Sequence, residues 1–155
     1  MELILWRHAE AEPGSLDRPD EDRKLTDKGR KQARKMAEWL NRHLPEDCRI
    51  LSSPAVRTVQ TVDALGRKYK TDRALAPDVS AESVLAAAGW PDAGGTVLVV
   101  GHQPTLGHVV SLLIAGRRQE WHLRKASICW IASKAEDEGE RPYLKAVLGT
   151  DLAAG

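Results

Sequence analysis

TVLVVGH, residues 96–102, is the stretch from which the fold is read. Val97, Leu98, Val99 and Val100 follow one another without a polar break. A strand with one wet face would alternate, so an unbroken apolar run predicts a central strand covered on both faces. The run ends at Gly101-His102. Pro104 then opens an apolar segment that ends near Ala115-Gly116 and has the length of a helix. The same order occurs twice earlier in the chain. LILW (3–6) ends in Arg7-His8. CRILSS (48–53) runs into Pro54 and Arg57, with a helical pattern after it.

The remaining segments fit around these three strands. Thr26 reads as the N-cap of a helix over 27–43, with Asp27 in the first turn, where the macrodipole favours a carboxylate. Ala33, Met36, Ala37 and Leu40 recur on one face of that helix. Ser53-Pro54 reads as a cap and first position of a second helix reaching about Tyr69, with Val56, Val59, Val62 and Leu65 inward. Residues 70–79 predict irregular structure with a short strand near 74–76. Ser80 predicts the cap of a third helix ended by Gly89. The tail predicts two strands, roughly 124–133 and 142–149, about a charged turn at 134–140. Strands alternating with helices predict an α/β three-layer sandwich. Its central sheet is mostly parallel and flanked by helices, with an antiparallel edge from the C-terminal hairpin. At 155 residues the expectation is a single domain, 1–155.

Composition narrows the function. The formal net charge is +1, with 42% hydrophobic and 29% charged residues, so the overall balance predicts neither a nucleic-acid nor a membrane partner. Cys48 and Cys129 are far apart and form no CxxC, which favours a reduced, cytoplasmic protein over a disulfide. A first strand beginning at residue 2 or 3 leaves no room for a signal peptide, and no apolar run is long enough to span a bilayer.

Reactive groups of a parallel sheet gather beyond the carboxyl ends of its strands. Here those ends carry Arg7, His8, Arg57 and His102. A lone His at a strand end is more often structural, and a lone Arg in a first helical turn is usually solvated. An Arg there also opposes the helix dipole, and a bound anion would give it a reason. Four such residues at three strand ends together predict a site for a dianion. The arginine fork suits phosphate oxygens, and a His ring nitrogen can accept a phosphoryl group. Phosphoryl transfer needs mainly positioning and positive charge, which this set supplies without a metal. A zinc site from His8, His102 and a carboxylate is the weaker reading, because no HxH, HExxH or paired Cys/His spacing occurs. Glu10 and Glu12 read as loop carboxylates, His43, His108 and His122 as packing or surface residues, and 28–35 as a solvated basic face that could dock an acidic phosphoprotein.

These segments also resemble a known family. LILWRHAEAE is similar to the opening Arg-His-Gly motif of the histidine phosphatase (phosphoglycerate-mutase-like) superfamily. SSPAVRTVQT resembles its Ser-Pro-x-x-Arg motif, and VVGHQP the segment of its second histidine. DRKLTDKGRKQA, with Arg23, Leu25, Thr26 and Gly29, matches the SixA-type branch of phosphohistidine phosphatases. The resemblance covers nearly the whole chain and is weakest after about residue 120. It implies His8 as the nucleophile, Arg7, Arg57 and His102 as catalytic and phosphoryl-binding groups, and Arg23 as a further substrate contact. It implies no metal and no cofactor. His102 would do most good protonated, close to the dianion. Ala9 replaces the usual Gly, read as a question of space rather than of positive φ. Larger members of the family use a carboxylate acid; the positions for one here are Asp78 and Glu82, and the SixA-type branch lacks the group.

The sequence thus predicts a metal-independent phosphatase in signal transduction. It works through phosphohistidine on His8 and takes phosphohistidine on a partner protein of the histidine-phosphotransfer type. No inserted cap separates the motifs, so a shallow, open pocket is expected. The alternatives are a phosphatase of small phosphorylated metabolites, a non-catalytic phosphate- or phosphoprotein-binding module, and a metal-dependent hydrolase.

Overall fold

The three apolar runs become neighbouring strands at the centre of one sheet. In the computed structural model, which describes residues 1–134 and 141–153, the strands are β1 (Glu2–Arg7), β2 (Arg49–Ser52), β3 (Lys70–Thr71), β4 (Thr96–Gly101), β5 (Ile128–Ala132) and β6 (Tyr143–Leu148). Their order is β3-β2-β4-β1-β5-β6. The β3-β2, β2-β4 and β4-β1 pairs are parallel, and β1-β5 and β5-β6 antiparallel. The mostly parallel sheet with an antiparallel C-terminal edge is the predicted architecture. The turn expected at 134–140 lies outside the described residues from 135 on.

Strand alternation builds two cores. Leu3, Leu5, Val97 and Val99 face one side and pack with Val84, Leu106 and Val109. These come from α3 (Ala81–Ala88) and α4 (Thr105–Ala115). Ile4, Trp6, Leu98 and Val100 face the other and pack with Met36, Leu40 and Val62. These come from α1 (Asp27–His43) and α2 (Val56–Asp63). Successive side chains on a strand point to opposite faces, so an unbroken apolar run supplies both layers. Each buried Leu or Val contributes about 1.5–3 kcal/mol relative to exposure.

The helix signals hold at α1, where the Thr26 hydroxyl accepts from Gly29 N–H, and at α3, which Ser80 caps and Gly89 ends at φ 74°. α2 departs from expectation. It ends at Asp63 rather than near Tyr69, because single i→i−3 bonds tighten residues 64–66 and Gly66 turns left-handed at φ 67°. Its N-cap is Ala55, and the Ser53 hydroxyl instead accepts from Ala55 N–H. Its buried side is Arg57, Thr58, Thr61 and Val62, with Val56 and Val59 only half-buried. The short strand expected near 74–76 lies at Lys70–Thr71, and Arg73–Leu75 is a 3-10 turn started by the Asp72 carboxylate. Both cysteines are free thiols. No helix of the described residues is long and apolar enough to cross a membrane.

Candidate active site

The ends of β1 and β4 lie side by side in register, Arg7 opposite Gly101. His8 and His102 each follow one of those ends. His8 N–H donates to Gly101 O at 3.1 Å. The two imidazoles therefore meet, with ring centroids 5.4 Å apart and planes tilted by 56°. Arg57 joins them from the first turn of α2, which follows β2 on the other side of β4. His8, His102 and Arg57 are 8%, 4% and 3% exposed. Arg57 also holds the 3-10 turn Asp20–Asp22 beside the site.

Hydrogen bonds fix the state of each ring. His8 Nδ1 lies 2.7 Å from Ala9 O, so Nδ1 carries the proton it donates and Nε2 keeps a free lone pair. His102 Nε2 lies 2.8 Å from Ser53 Oγ. That oxygen already accepts from Ala55 N–H, and the hydroxyl proton of fully buried Ser53 has His102 Nε2 as its acceptor. Nε2 is thus unprotonated, and the ring proton sits on Nδ1. One ring offers a lone pair, and the other a donor.

Burial, opposed by the bond to Ala9 O and aided by Arg57, Arg7 and Arg23, pushes His8 down to about 4. Burial, then Arg57 and His8, push His102 down to about 3. Both rings are neutral near pH 7. A neutral His8 is the form able to attack. Desolvation and the neighbouring guanidinium hold His102 uncharged in the anion-free site.

Three buried nitrogens, Arg7 Nε, Arg57 Nε and His102 Nδ1, have no hydrogen-bond partner among the described residues. Buried donors are almost always paired. Three orphans borne by residues at or just beyond the ends of three different strands mark a place for a ligand rich in acceptors, as a phosphoryl group is. Arg7 Nη1 is held by Leu123 O at 2.7 Å.

Arg23 is not free to meet a ligand with its whole fork. Its Nε donates to Asp20 Oδ1 at 3.0 Å and its Nη1 to Glu12 O at 3.0 Å. Asp20 also binds Arg57. Burial works to raise its carboxyl, and Arg57 and Arg23 outweigh that, so it is held below the ordinary carboxylate range and stays charged. Asp78 and Glu82 make no hydrogen bond to His8, His102, Arg7 or Arg57, and Glu82 is exposed in the first turn of α3. Ala9 is fully buried among Leu25, Ala33 and Ala126, and its φ is not positive, so the methyl replaces the usual Gly without strain. His108 packs against Glu120 at 2.7 Å, and His43 donates to Trp39 O and stacks on its ring. Among the described residues no three His, Cys, Asp or Glu side chains gather in a metal-binding cluster.

The family model of the histidine phosphatase superfamily (branch 1) matches residues 3–80, the part of the chain that carries Arg7, His8, Arg23 and Arg57. The chain belongs to this superfamily. It is 32% identical over 125 residues to the phosphohistidine phosphatase SixA of Escherichia coli (strain K12), covering 75% of this chain and 76% of the relative. It is 30% identical over 154 residues to a phosphohistidine phosphatase SixA homolog of Haemophilus influenzae, covering 88% and 92%. A solved structure of the protein histidine phosphatase SixA complexed with tungstate superposes with a TM-score of 0.80 at 25% identity, covering 97% of this chain and 98% of that one. The six-stranded sheet flanked by helices is the fold that this superposition shares.

Two residues of the site were not singled out from the sequence. Asp20 lies in a loop whose composition says only that it is polar. Ser53 has the sequence pattern of a helix cap, and its hydroxyl bonds His102 as well.

Proposed function

We propose that the protein is a phosphohistidine phosphatase acting on a phosphorylated partner protein. The observation that carries the reading is the pair of rings 5.4 Å apart, His8 presenting a bare Nε2 beside the donors of Arg57 and His102. Two relatives, from Escherichia coli and Haemophilus influenzae, are named as a phosphohistidine phosphatase and its homolog, and a solved SixA structure holds tungstate, a tetrahedral oxyanion.

In the first step the His8 Nε2 lone pair attacks phosphorus. A new N–P bond forms as the substrate's own N–P bond breaks. With its other nitrogen protonated, the departing imidazole leaves neutral, and no strong acid is needed. Arg7, Arg57 and His102 Nδ1–H bind the equatorial oxygens, where charge gathers. The bond from His8 Nδ1 to Ala9 O steadies the positive charge on the phosphorylated ring. In the second step water attacks phosphorus, the His8 N–P bond breaks and its electron pair returns to Nε2. Inorganic phosphate leaves, and the water proton passes to solvent.

The test is turnover of a phosphorylated histidine-phosphotransfer domain against sugar phosphates and nucleotides, with His8→Ala as control. The domain should be the fastest substrate, and His8→Ala should abolish turnover. Faster cleavage of a small ester would overturn the substrate class, and undiminished turnover by His8→Ala the nucleophile.

A further inference from the structure

Beside Arg7 the surface opens into a cavity of about 340 Å³ whose lining includes Lys28, His122, Arg124 and Lys125, with Glu10 as its carboxylate. Arg7, Lys28, Arg124 and Lys125 place four formal positive charges against one negative. The Glu10 carboxylate is engaged, accepting from the Thr26 hydroxyl at 2.7 Å and lying 4.0 Å from Lys125 Nζ. Arg124 has Asp151 no nearer than 3.9 Å, and Lys28 forms no ion pair among the described residues. Lys28 also stands in the first turn of α1, where the helix dipole disfavours a cation. The excess charge is thus kept against local cost.

The cavity is built into the end of β1. The chain at 123–127 folds back over that end. Arg7 Nη1 donates to Leu123 O, Trp6 Nε1 to Ala126 O at 2.9 Å, and Ala126 N–H to His8 O at 3.1 Å. Ala126 holds φ 62°, a left-handed conformation that an alanine adopts only when its surroundings impose it. This pinned corner sets the exposed Arg124 and Lys125 beside the residue that precedes His8.

We propose that this cavity receives an acidic side chain of the phosphorylated protein, next to the phosphohistidine that enters the site. It rests on the reading of the chain as a protein phosphohistidine phosphatase. Arg7 joins the two places: it lines the cavity and holds the corner through Nη1, and its charge acts on the adjacent His8. A small monophosphate would engage the inner site alone. A protein segment with Asp or Glu near its phosphohistidine would fill both.

The test compares two phosphohistidine peptides, one flanked by Asp and Glu and one by Ser and Gln, on the full chain and on Lys28→Gln/Arg124→Gln. The full chain should prefer the acidic peptide, and the double variant should lose about tenfold in kcat/KM on it with kcat unchanged. The neutral peptide and phosphoramidate should be cleaved equally by both proteins. Equal kcat/KM of the full chain on the two peptides, or parallel losses on all substrates, would overturn the subsite. Calorimetry with the unphosphorylated acidic peptide and His8→Ala protein reads the subsite without turnover. Binding that Lys28→Gln/Arg124→Gln weakens supports it even if no peptide is hydrolysed, and binding that the substitutions leave unchanged overturns it.

Discussion

Asp20 holds both terminal nitrogens of Arg57. Its main-chain carbonyl accepts from Nη1 at 2.8 Å and its carboxylate from Nη2 at 3.0 Å. The other carboxylate oxygen takes Arg23 Nε at 3.0 Å. One acidic residue thus sets the planes of two guanidinium groups and leaves the Nε of Arg57 for a ligand. Asp20→Ala should remove the carboxylate bonds to Arg57 Nη2 and Arg23 Nε, leaving each arginine a single main-chain tie, and lower kcat by about 10²-fold, the effect of misplacing a reacting group by about 1 Å. Asp20→Asn, which keeps one acceptor, should lose less. Steady-state kinetics of both variants check this, and an unchanged kcat in Asp20→Ala would show that Arg57 is oriented without it.

Arg57 uses its fork twice, toward Asp20 and toward the orphaned Nε side. Lysine has one ammonium and no fork. Arg57→Lys should therefore lower turnover by 10²-fold or more, roughly 3 kcal/mol, comparable to losing an oxyanion donor. Single-turnover measurements separate that loss from slow product release.

Ser53 assigns the tautomer of His102. Without its hydroxyl, Nε2 loses its donor and the ring proton is no longer tied to Nδ1. Ser53→Ala should lower kcat by about tenfold or more, with little change in KM. Nitrogen-15 spectra should show the protonated Nδ1 of His102 in the parent and a mixture of tautomers in the variant. A ring still protonated on Nδ1 would assign that proton to another cause.

The strand ends and the two arginines and two histidines on them are legible because they depend on local pattern: apolar runs, a Pro, an Arg or His. The register of β1 and β4 then follows from burying every residue of two unbroken runs, and it alone brings His8 to His102. Asp20 was not legible, since its partner Arg57 is 37 residues away and no periodicity links them. Helix α2 misled for a related reason. Its valines suggested an apolar inner face, and the site draws Arg57, Thr58 and Thr61 inward, with Thr61 Oγ1 accepting from Ala9 N–H at 3.1 Å. The neutral state of both rings in the anion-free site is likewise hidden from the sequence, because desolvation depends on burial that spacing does not reveal.

Gly29 lies where α1 crosses the chain after His8. A Cβ there would overlap the Glu10 carbonyl, a main-chain group that cannot swing aside. Gly29→Ala gains about 1 kcal/mol of helix propensity, and overpacking costs typically 1–3 kcal/mol or more. Net destabilisation is expected in urea unfolding, with reduced turnover, because the segment pushed away is the one that orients His8. A stabilised variant would mean that α1 moves freely relative to β1.

The two buried imidazoles tie stability to pH. In the unfolded chain both titrate near 6.5, whereas in the folded protein His8 is lowered to about 4 and His102 to about 3. Between these values the unfolded state binds more protons, so stability falls as pH drops below about 6.5 and is flat with respect to these groups above it. By pH 5 each ring costs about 2 kcal/mol, and together at most about 4 kcal/mol. Urea unfolding of the parent at pH 7.5 and pH 5 should show that loss. His102→Asn, which removes one titrating ring, should show about half of it. The same pH dependence in both proteins would place His102 outside the buried, neutral pair.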